Sequence, residues 1–244
     1  MNRPIVESPV GVTLVAGGPV AARDLAAALA LAPVAVAADG GADRLLRAGH
    51  MPAAVIGDLD SIGAAARSAV PPDRLHEVAE QETTDFDKAL RSINAPFVLT
   101  LGVLGGRMDH ALAAMTVLAG RVSGPPCIAL SRQDAAFAAP PRLRLDLRAG
   151  DRLSLWPMAR LTGTSRGLDW PIDGLVMEPA GRIGTSNRVS RGPVELAFDG
   201  PGMLVILPRA RLRAALAALV GDAQSGVSAA RPPARGERRR VRTP

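Results

Sequence analysis

The first half of this 244-residue chain repeats one pattern, in which a short apolar run ends at glycine or aspartate and a helical segment follows. Strands that are buried on both faces of a parallel sheet are continuous apolar runs, and helices connect them. The pattern therefore predicts an α/β fold with a parallel sheet, whose ligands bind beyond the carboxyl ends of the strands. The predicted strands cover residues 12–16, 34–38, 53–56 and 97–101, and the predicted helices cover 21–30, 42–48 and 108–119.

The pattern changes near Pro140 and Pro141. From residue 143 onward, apolar and polar residues alternate in short runs that Gly, Pro and Asp separate, which is typical of a small antiparallel β domain. We predict a last helix over about residues 210–220. The expected domains are an α/β domain at 1–139, a β domain with its closing helix at 140–222, and a tail at 223–244.

The positive charge of the chain is concentrated in this tail. The formal net charge is +6, and residues 223–244 hold six arginines and a single acidic residue, Glu237. A segment rich in arginine and proline is predicted to be disordered. The chain has no tyrosine, four phenylalanines and two tryptophans, so it lacks the aromatic platform on which single strands stack. Nucleic acid is therefore not the expected partner; RNA binding through the tail is the alternative, and deletion of 223–244 would separate it from an enzyme activity.

The single cysteine, Cys127, excludes a disulfide framework and indicates a reduced compartment. No apolar run reaches the ~18 residues that a membrane helix needs, and the N-terminus lacks the apolar run of a signal peptide. The sequence predicts a cytoplasmic protein without a membrane partner.

The stretch from Gly57 to Ser61 directly follows a predicted strand and holds Asp58 and Asp60. Two carboxylates two residues apart, on a loop that leaves a strand, can direct oxygen atoms to one point. Mg²⁺ prefers such hard oxygen ligands and completes its octahedron with substrate phosphates and water. The structural alternative is a turn in which Asp60 or Ser61 caps the following helix.

A second acidic stretch, residues 80–88, opens another predicted helix. Thr83 or Thr84 can cap this helix, and acidic residues in a first turn suit the helix dipole, which explains one or two of them structurally. Lys88 is the only lysine among 29 basic residues. A compact ammonium in a chain that otherwise uses arginine suits a point charge on a phosphate.

Glycine marks three further strand ends. Residues 105–110 follow the strand at 97–101, and glycines let the backbone approach a phosphate there. Arg107 could clamp phosphate oxygens, Asp109 could orient it or approach a metal, and His110 is given no chemistry. Asp39 with Gly40 and Gly41 and the pair Gly17–Gly18 are the other two ends. Together the strand ends predict Mg²⁺-nucleotide chemistry, and the absence of G-x-x-x-x-G-K-[ST] excludes a P-loop enzyme.

In this order, these stretches resemble the thiamine pyrophosphokinase (thiamine diphosphokinase) family. The resemblance covers about residues 11–208, and its motifs lie at 38–42, 57–61, 84–88, 105–110, 166–170 and 184–187. It implies a Rossmann-like N-terminal catalytic domain, a C-terminal antiparallel β-sandwich that helps to hold thiamine, and a homodimer with active sites between subunits. It also implies the reaction, in which the diphosphoryl group of ATP passes to the hydroxyl of thiamine and AMP leaves.

The resemblance further implies the site residues. The expected Mg²⁺ ligands are Asp58, Asp60 and Asp85. The residues expected to contact nucleotide or phosphate are Asp39, Gln81, Thr84, Lys88, Arg107 and Asp109, and those expected at thiamine are Trp170, Ser186 and Asn187. The chain departs from the family at Glu80-Gln81-Glu82, where the family often has Asp-Gln-Asp.

Several alternatives stay open at this point. Trp170 could belong to the core of the β domain, and residues 185–187 could form an ordinary turn. The proton of the attacking hydroxyl could pass to Asp85, to Asp87 or to neither. The chain could also be a pyrophosphokinase for another small alcohol, such as a hydroxymethylpterin, or a nucleotide sensor without catalysis.

Overall fold

The structure is a computed structural model that describes residues 3–121 and 123–226. These residues form six α-helices, five of which lie between strands of the first half, and two 3₁₀ turns cover Pro72–Arg74 and Arg209–Arg211. The helices are α1 (Ala22–Leu29), α2 (Gly41–Arg47), α3 (Ala64–Ala69), α4 (Asp85–Arg91), α5 (Met108–Gly120) and α6 (Leu212–Gly226). The strands are β1 (Val6–Glu7), β2 (Val12–Val15), β3 (Val34–Ala38), β4 (Ala54–Gly57), β5 (Leu75–Glu77), β6 (Ile93–Asn94), β7 (Val98–Leu101), β8 (Cys127–Leu130), β9 (Asp134–Ala138), β10 (Arg142–Leu145), β11 (Arg152–Pro157), β12 (Leu161–Arg166), β13 (Val176–Met177), β14 (Gly184–Arg188), β15 (Val194–Phe198) and β16 (Met203–Pro208).

A ten-stranded sheet forms the centre of the molecule, in the order β14-β11-β16-β9-β8-β7-β2-β3-β4-β5. The six strands from β8 to β5 are parallel, as the apolar runs predict. Every residue of β2, β4, β7 and β8 is buried, because helices and loops cover both faces. The carboxyl ends of these strands therefore meet along one edge of the sheet.

The other four strands of this sheet are antiparallel. β9 pairs antiparallel with β8 on one side and with β16 on the other, so the sheet continues into strands that follow residue 139. A separate antiparallel sheet has the order β10-β15-β12-β13, in which Arg144 pairs with Glu195. The fold is therefore mixed α/β with one large mixed sheet and one smaller antiparallel sheet. The domain boundaries stay a prediction.

Helix α6 packs its apolar face against the β half of the chain. Leu212, Ala215 and Leu219 are buried at spacings of three and four residues, which place them on one face of the helix. Arg211, just before this helix, makes two hydrogen bonds of 2.6 and 2.7 Å to the carboxylate of Asp151. The helix begins two residues after the predicted start and ends later than predicted, at Gly226. Residues 223–226 of the predicted disordered tail are therefore helical, and the rest of that tail, 227–244, lies outside the described residues.

No helix in the described part of the chain combines the length and apolar character that a membrane crossing requires.

Candidate functional site

A cavity of about 650 Å³ lies at the carboxyl ends of β2, β3, β4 and β7. The segments that follow these strands form its walls together with the start of α4. The cavity therefore lies where ligands bind in a parallel sheet, beyond the carboxyl ends of the strands. The structure therefore brings most of the residues selected from the sequence into one cavity. Those that line it are Asp39, Asp58, Gln81, Thr84, Asp85, Lys88 and Arg107, and His110, to which the sequence analysis gives no chemistry, lies beside them.

Three carboxylates form the acidic group of this site. One oxygen each from Asp39, Asp58 and Asp60 lies within 4.8 Å of the other two. Asp39 is 3% exposed, and its Oδ1 has no hydrogen-bond partner, whereas its Oδ2 accepts from the Ser61 amide at 3.0 Å. Burial raises the pKa of Asp39 to about 6. An orphaned, buried carboxylate oxygen among two others fits the donor set of a divalent cation.

The local backbone brings these carboxylates together. Asp39 and Leu59 adopt the left-handed conformation, with φ of 41° and 61°, which is uncommon for residues other than glycine. At Gly57, the Cβ of any other residue would lie 2.9 Å from the Asp39 Cβ and 3.0 Å from Asp85 Oδ1. Glycine is therefore required where the end of β4 passes between two acidic residues.

Asp85 connects the acidic group to Lys88. Its Oδ1 accepts from the backbone amide of Asp58 at 3.2 Å and from Lys88 Nζ at 3.1 Å. Lys88 Nζ also lies 3.7 Å from Asp58 Oδ2, although its residue is only 1% exposed. Burial lowers the pKa of Lys88, but the hydrogen bond and charge of Asp85 outweigh it and hold this pKa above its usual value. The buried ammonium stays charged beside the carboxylates.

The carboxylate of Glu80 holds the loop before α4 together through hydrogen bonds and is not part of the acidic group. It accepts from the Thr83 hydroxyl, from the amides of Glu82 and Thr83, and from Arg91. The Thr83 hydroxyl is the main cause that lowers the pKa of Glu80 to about 2. Thr84 caps α4 by accepting from the Asp87 amide at 3.3 Å, as expected for its position. Glu80, one of the two acidic residues at which the chain departs from the family pattern, thus has a structural role.

Gln81 extends from this loop and donates to Asp58 Oδ2 at 3.3 Å. Burial raises the pKa of Asp58, but hydrogen bonds from the Asp60 amide and Gln81 and the charge of Lys88 outweigh it, so this pKa is lowered. Asp58 is therefore ionised at neutral pH, as a metal ligand must be.

Arg107 and Asp109 form an exposed pair at the start of α5. Two hydrogen bonds of 2.5 and 3.1 Å join the Arg107 guanidinium to the Asp109 carboxylate, which also accepts from the His110 amide at 3.0 Å. Arg107 lines the cavity, whereas Asp109 does not. Asp109 instead orients the guanidinium of Arg107. Of the two roles that the sequence leaves open for Asp109, the geometry favours orientation.

The residues expected at thiamine lie away from this cavity. Trp170 is 58% exposed and therefore does not belong to the core, and the Arg188 guanidinium lies 5.8 Å from its ring centroid. Asn187 is buried; its amide nitrogen donates to the Trp170 carbonyl at 2.7 Å, and its oxygen accepts from the Trp170 amide at 3.3 Å. Ser186 is exposed and left-handed, with φ of 55°. Asn187 thus positions the backbone of Trp170, whose residue is exposed.

Sequence reasoning missed two cations of the cavity, Arg44 and Arg47 on α2. The signal that could have found them is their spacing of three residues on a helix that directly follows Asp39, since such residues share a helix face. It also did not place Asp39 beside Asp58 and Asp60, because a left-handed backbone at an aspartate cannot be read from the sequence.

Comparisons with known proteins point in one direction. The family model for the thiamin pyrophosphokinase catalytic domain matches residues 25–125. Thiamine pyrophosphokinase 1 of Oryza sativa subsp. japonica is 30% identical over 198 residues, which are 67% of this chain and 75% of that protein. Thiamine pyrophosphokinase 3 of the same organism is 29% identical over 192 residues, 65% of this chain and 72% of that protein.

Solved structures share the fold. The thiamin pyrophosphokinase from Candida albicans superposes with a TM-score of 0.68 at 15% identity, over 85% of this chain and 94% of that chain. The yeast thiamin pyrophosphokinase superposes with a TM-score of 0.67 at 17% identity, over 87% and 89%.

Proposed function

Because the chain belongs to the thiamine pyrophosphokinase family and is thus an ATP-dependent diphosphotransferase, we propose that its reaction takes place in the cavity at the strand ends. The diphosphoryl group of ATP passes to the hydroxyl of thiamine, which gives thiamine diphosphate and AMP. The observation that carries this assignment is the close grouping of Asp39, Asp58 and Asp60 beside the buried ammonium of Lys88.

Mg²⁺ is the cation that we propose for the carboxylate group. Hard oxygen ligands and the orphaned Asp39 Oδ1 fit it, and Asp58 and Asp60 complete the protein side of the site. When bound, Mg²⁺ neutralises charge on the phosphates. Asp85, the third ligand implied by the resemblance, contacts Lys88 and the Asp58 amide in this structure, and we propose that it orders the other groups.

The remaining chemistry is positioning and charge stabilisation, since diphosphoryl transfer needs little covalent help. Lys88 and Arg107 stabilise charge on phosphoryl oxygens and on the departing AMP. Gln81 and Thr84 contact the nucleotide from the loop that enters α4. The transfer is direct and in line, and either Asp85 or Asp87 is available to accept the proton of the thiamine hydroxyl.

Thiamine binds at Trp170 in this proposal. Its exposed ring offers a face for an aromatic and cationic ligand, because the negative face of an indole attracts cations. Ser186 presents a hydroxyl from an adjacent strand, and Asn187 holds the Trp170 backbone in place.

A homodimer would bring the two halves of the site together. β14, which carries Asn187, and β3, which Asp39 directly follows, are separated by six strands of the same sheet. Neighbouring strands lie about 4.8 Å apart, so the seven spacings place the halves roughly 34 Å apart across the sheet of one chain. A thiamine molecule cannot span that distance, but a second copy can supply the missing half. Met108 and Leu112, 78% and 61% exposed beside the cavity on α5, offer an apolar surface for that copy.

We further propose a Rossmann-like catalytic domain at 1–139, a thiamine-binding β-sandwich at 140–222 and a cytoplasmic location. The family membership does not favour a hydroxymethylpterin substrate or a nucleotide sensor.

The test of the function is incubation of the protein with ATP, Mg²⁺ and thiamine, with chromatography of the products. We expect AMP and thiamine diphosphate in equal amounts, because the diphosphoryl group moves as a unit. Formation of ADP and thiamine monophosphate would instead identify an ordinary kinase and contradict the proposal. A parallel incubation with a hydroxymethylpterin, from which we expect no AMP, tests the competing substrate.

A further inference from the structure

The cations of the cavity fall into two groups. Lys88 pairs with Asp85 and Asp58, and Arg107 pairs with Asp109, so the charge of each is already compensated within the protein. Arg44 and Arg47 also line the cavity, but in the described part of the chain neither forms an ion pair with an acidic side chain. Their side chains donate only to backbone carbonyls.

Arg44 holds the loop that follows β2. Its Nε and Nη2 donate to the Gly17 carbonyl at 3.3 and 3.1 Å, and the next amide, that of Gly18, donates to the Gly102 carbonyl at 3.0 Å. The peptide between the two glycines is therefore fixed at both ends against the wall of the cavity. One edge of the planar guanidinium is used in this way, and Nη1, which has no hydrogen-bond partner among the described residues, can donate to an anion.

Arg47 lies one turn further along α2 and holds no part of the loop. Its only side-chain hydrogen bond within the described chain runs from Nε to the Asp43 carbonyl, at 3.1 Å in its own helix. The side chain is exposed at the mouth of the cavity, with both terminal nitrogens available. A positive charge on a cavity wall that no acidic side chain offsets attracts an anionic ligand toward the cavity. The same charge then interacts with the ligand once it is bound.

We propose that Arg44 and Arg47 bind the phosphate chain of ATP from the α2 side of the cavity. This inference rests on the proposed function, and it divides the work between two groups of cations. Lys88 and Arg107 act on the phosphates with a charge that carboxylates of the protein already offset in part, whereas the charge of Arg44 and Arg47 is offset by no acidic side chain of the described residues. Arg44 is in addition a positioning residue, because it fixes the glycine loop beside which the phosphates lie.

The experiment measures binding of α,β-methylene ATP, whose P–C–P bridge cannot be cleaved, in the presence of Mg²⁺ by titration calorimetry. We expect Arg47→Ala to weaken binding about tenfold to a hundredfold, the loss typical of a charge-assisted hydrogen bond. Arg47→Lys should recover most of this affinity, since a point charge suffices there. Arg44→Lys should bind the analogue more weakly than the wild type, because one ammonium cannot both hold Gly17 and contact a phosphate.

Arg23→Ala is the matched control, since Arg23 is an exposed arginine on the neighbouring helix α1 that does not line the cavity. Melting temperatures reveal whether an Arg44 variant fails to fold. In that case the two variants Arg47→Ala and Arg47→Lys decide the inference. If the wild type binds the analogue and Arg47→Ala binds it within twofold, the inference is overturned and the proposed function stands. If the wild type does not bind it, the proposed function fails as well.

Discussion

At the scale of single residues, Asp58 connects several parts of the site: its carboxylate contacts Gln81, the Asp60 amide and Lys88 and belongs to the acidic group. We expect Asp58→Asn to lower kcat at least a hundredfold, because an amide is a poor ligand for Mg²⁺ and leaves Lys88 without one partner. The measurement is AMP release at saturating ATP and thiamine. Asp73→Asn, an exposed aspartate in the 3₁₀ turn, is the control and should retain wild-type activity. Activity of Asp58→Asn within a few-fold of wild type would refute the metal assignment.

The Asp39 carboxylate lowers the stability of the folded protein, but the proposed function needs it. It is buried with one unpartnered oxygen, and burial raises its pKa to about 6, so at neutral pH the folded protein carries a poorly solvated charge. In the absence of metal, Asp39→Asn should increase the free energy of unfolding by about 1–3 kcal/mol, because the neutral amide can donate to the neighbouring carboxylates. Activity should fall in the same variant. Urea unfolding in EDTA measures the effect, and a variant less stable than wild type would contradict it.

The sequence predicts most of the residues of the candidate site but not all of their roles. Asp58, Lys88 and Arg107 belong to local motifs at strand ends, and such motifs can be read from spacing alone. The contact of Asn187 with Trp170 joins residues that are 17 positions apart, and the burial of Asp39 depends on packing from other elements. Those features arise only when the chain is folded, so they are visible only in the structure.

At the scale of elements, the apolar runs predict the parallel strands well. The runs at 12–16, 34–38, 53–56 and 97–101 became β2, β3, β4 and β7, each shifted by no more than one residue at either end. Continuous burial on both faces leaves little choice of structure for such a run. The polar strand β14, with the sequence Gly-Thr-Ser-Asn-Arg, has no such pattern, because it lies at the edge of the sheet and pairs only with β11.

The ion pair of Asp151 and Arg211 ties the start of α6 to the segment that enters β11. Burial raises the pKa of Asp151, but hydrogen bonds from Arg211 and the Arg148 amide outweigh it and lower this pKa below its usual value. The folded state therefore binds this proton less tightly than the unfolded state, so the pair stabilises the fold above the unfolded pKa and loses this effect as pH falls through the folded pKa.

We accordingly expect Asp151→Asn to lower the free energy of unfolding by about 1–2 kcal/mol near pH 7. The difference from wild type should stay constant down to about pH 5 and shrink below about pH 4. Urea unfolding at several pH values tests this. Asp146→Asn, an aspartate in the loop after β10, serves as the comparison. A difference that grows toward acid pH would contradict the assigned sign.

At the scale of the whole molecule, the continuous sheet separates the acidic group from the proposed thiamine site at Trp170. The acidic group lies beyond β3 and β4, and Trp170 lies near β14 at the other edge of the same sheet. The sequence could not predict this separation, because the pairing of β9 with β8 and β16 that extends the sheet is a long-range contact. The proposed symmetric dimer would solve the problem by giving each site one half from each subunit.

Mixing two inactive variants tests this arrangement directly. Asp58→Asn damages the acidic half of the site, and Trp170→Ala damages the thiamine half. In a mixed dimer, one of the two sites receives an intact acidic half from one subunit and an intact Trp170 from the other. With random exchange of subunits in a symmetric dimer, an equal mixture should therefore regain about a quarter of wild-type activity. A mixture of Asp58→Asn with Asp85→Asn, which damage the same half, should regain none. If native mass spectrometry detects mixed dimers and activity still does not return, each site is built within one chain.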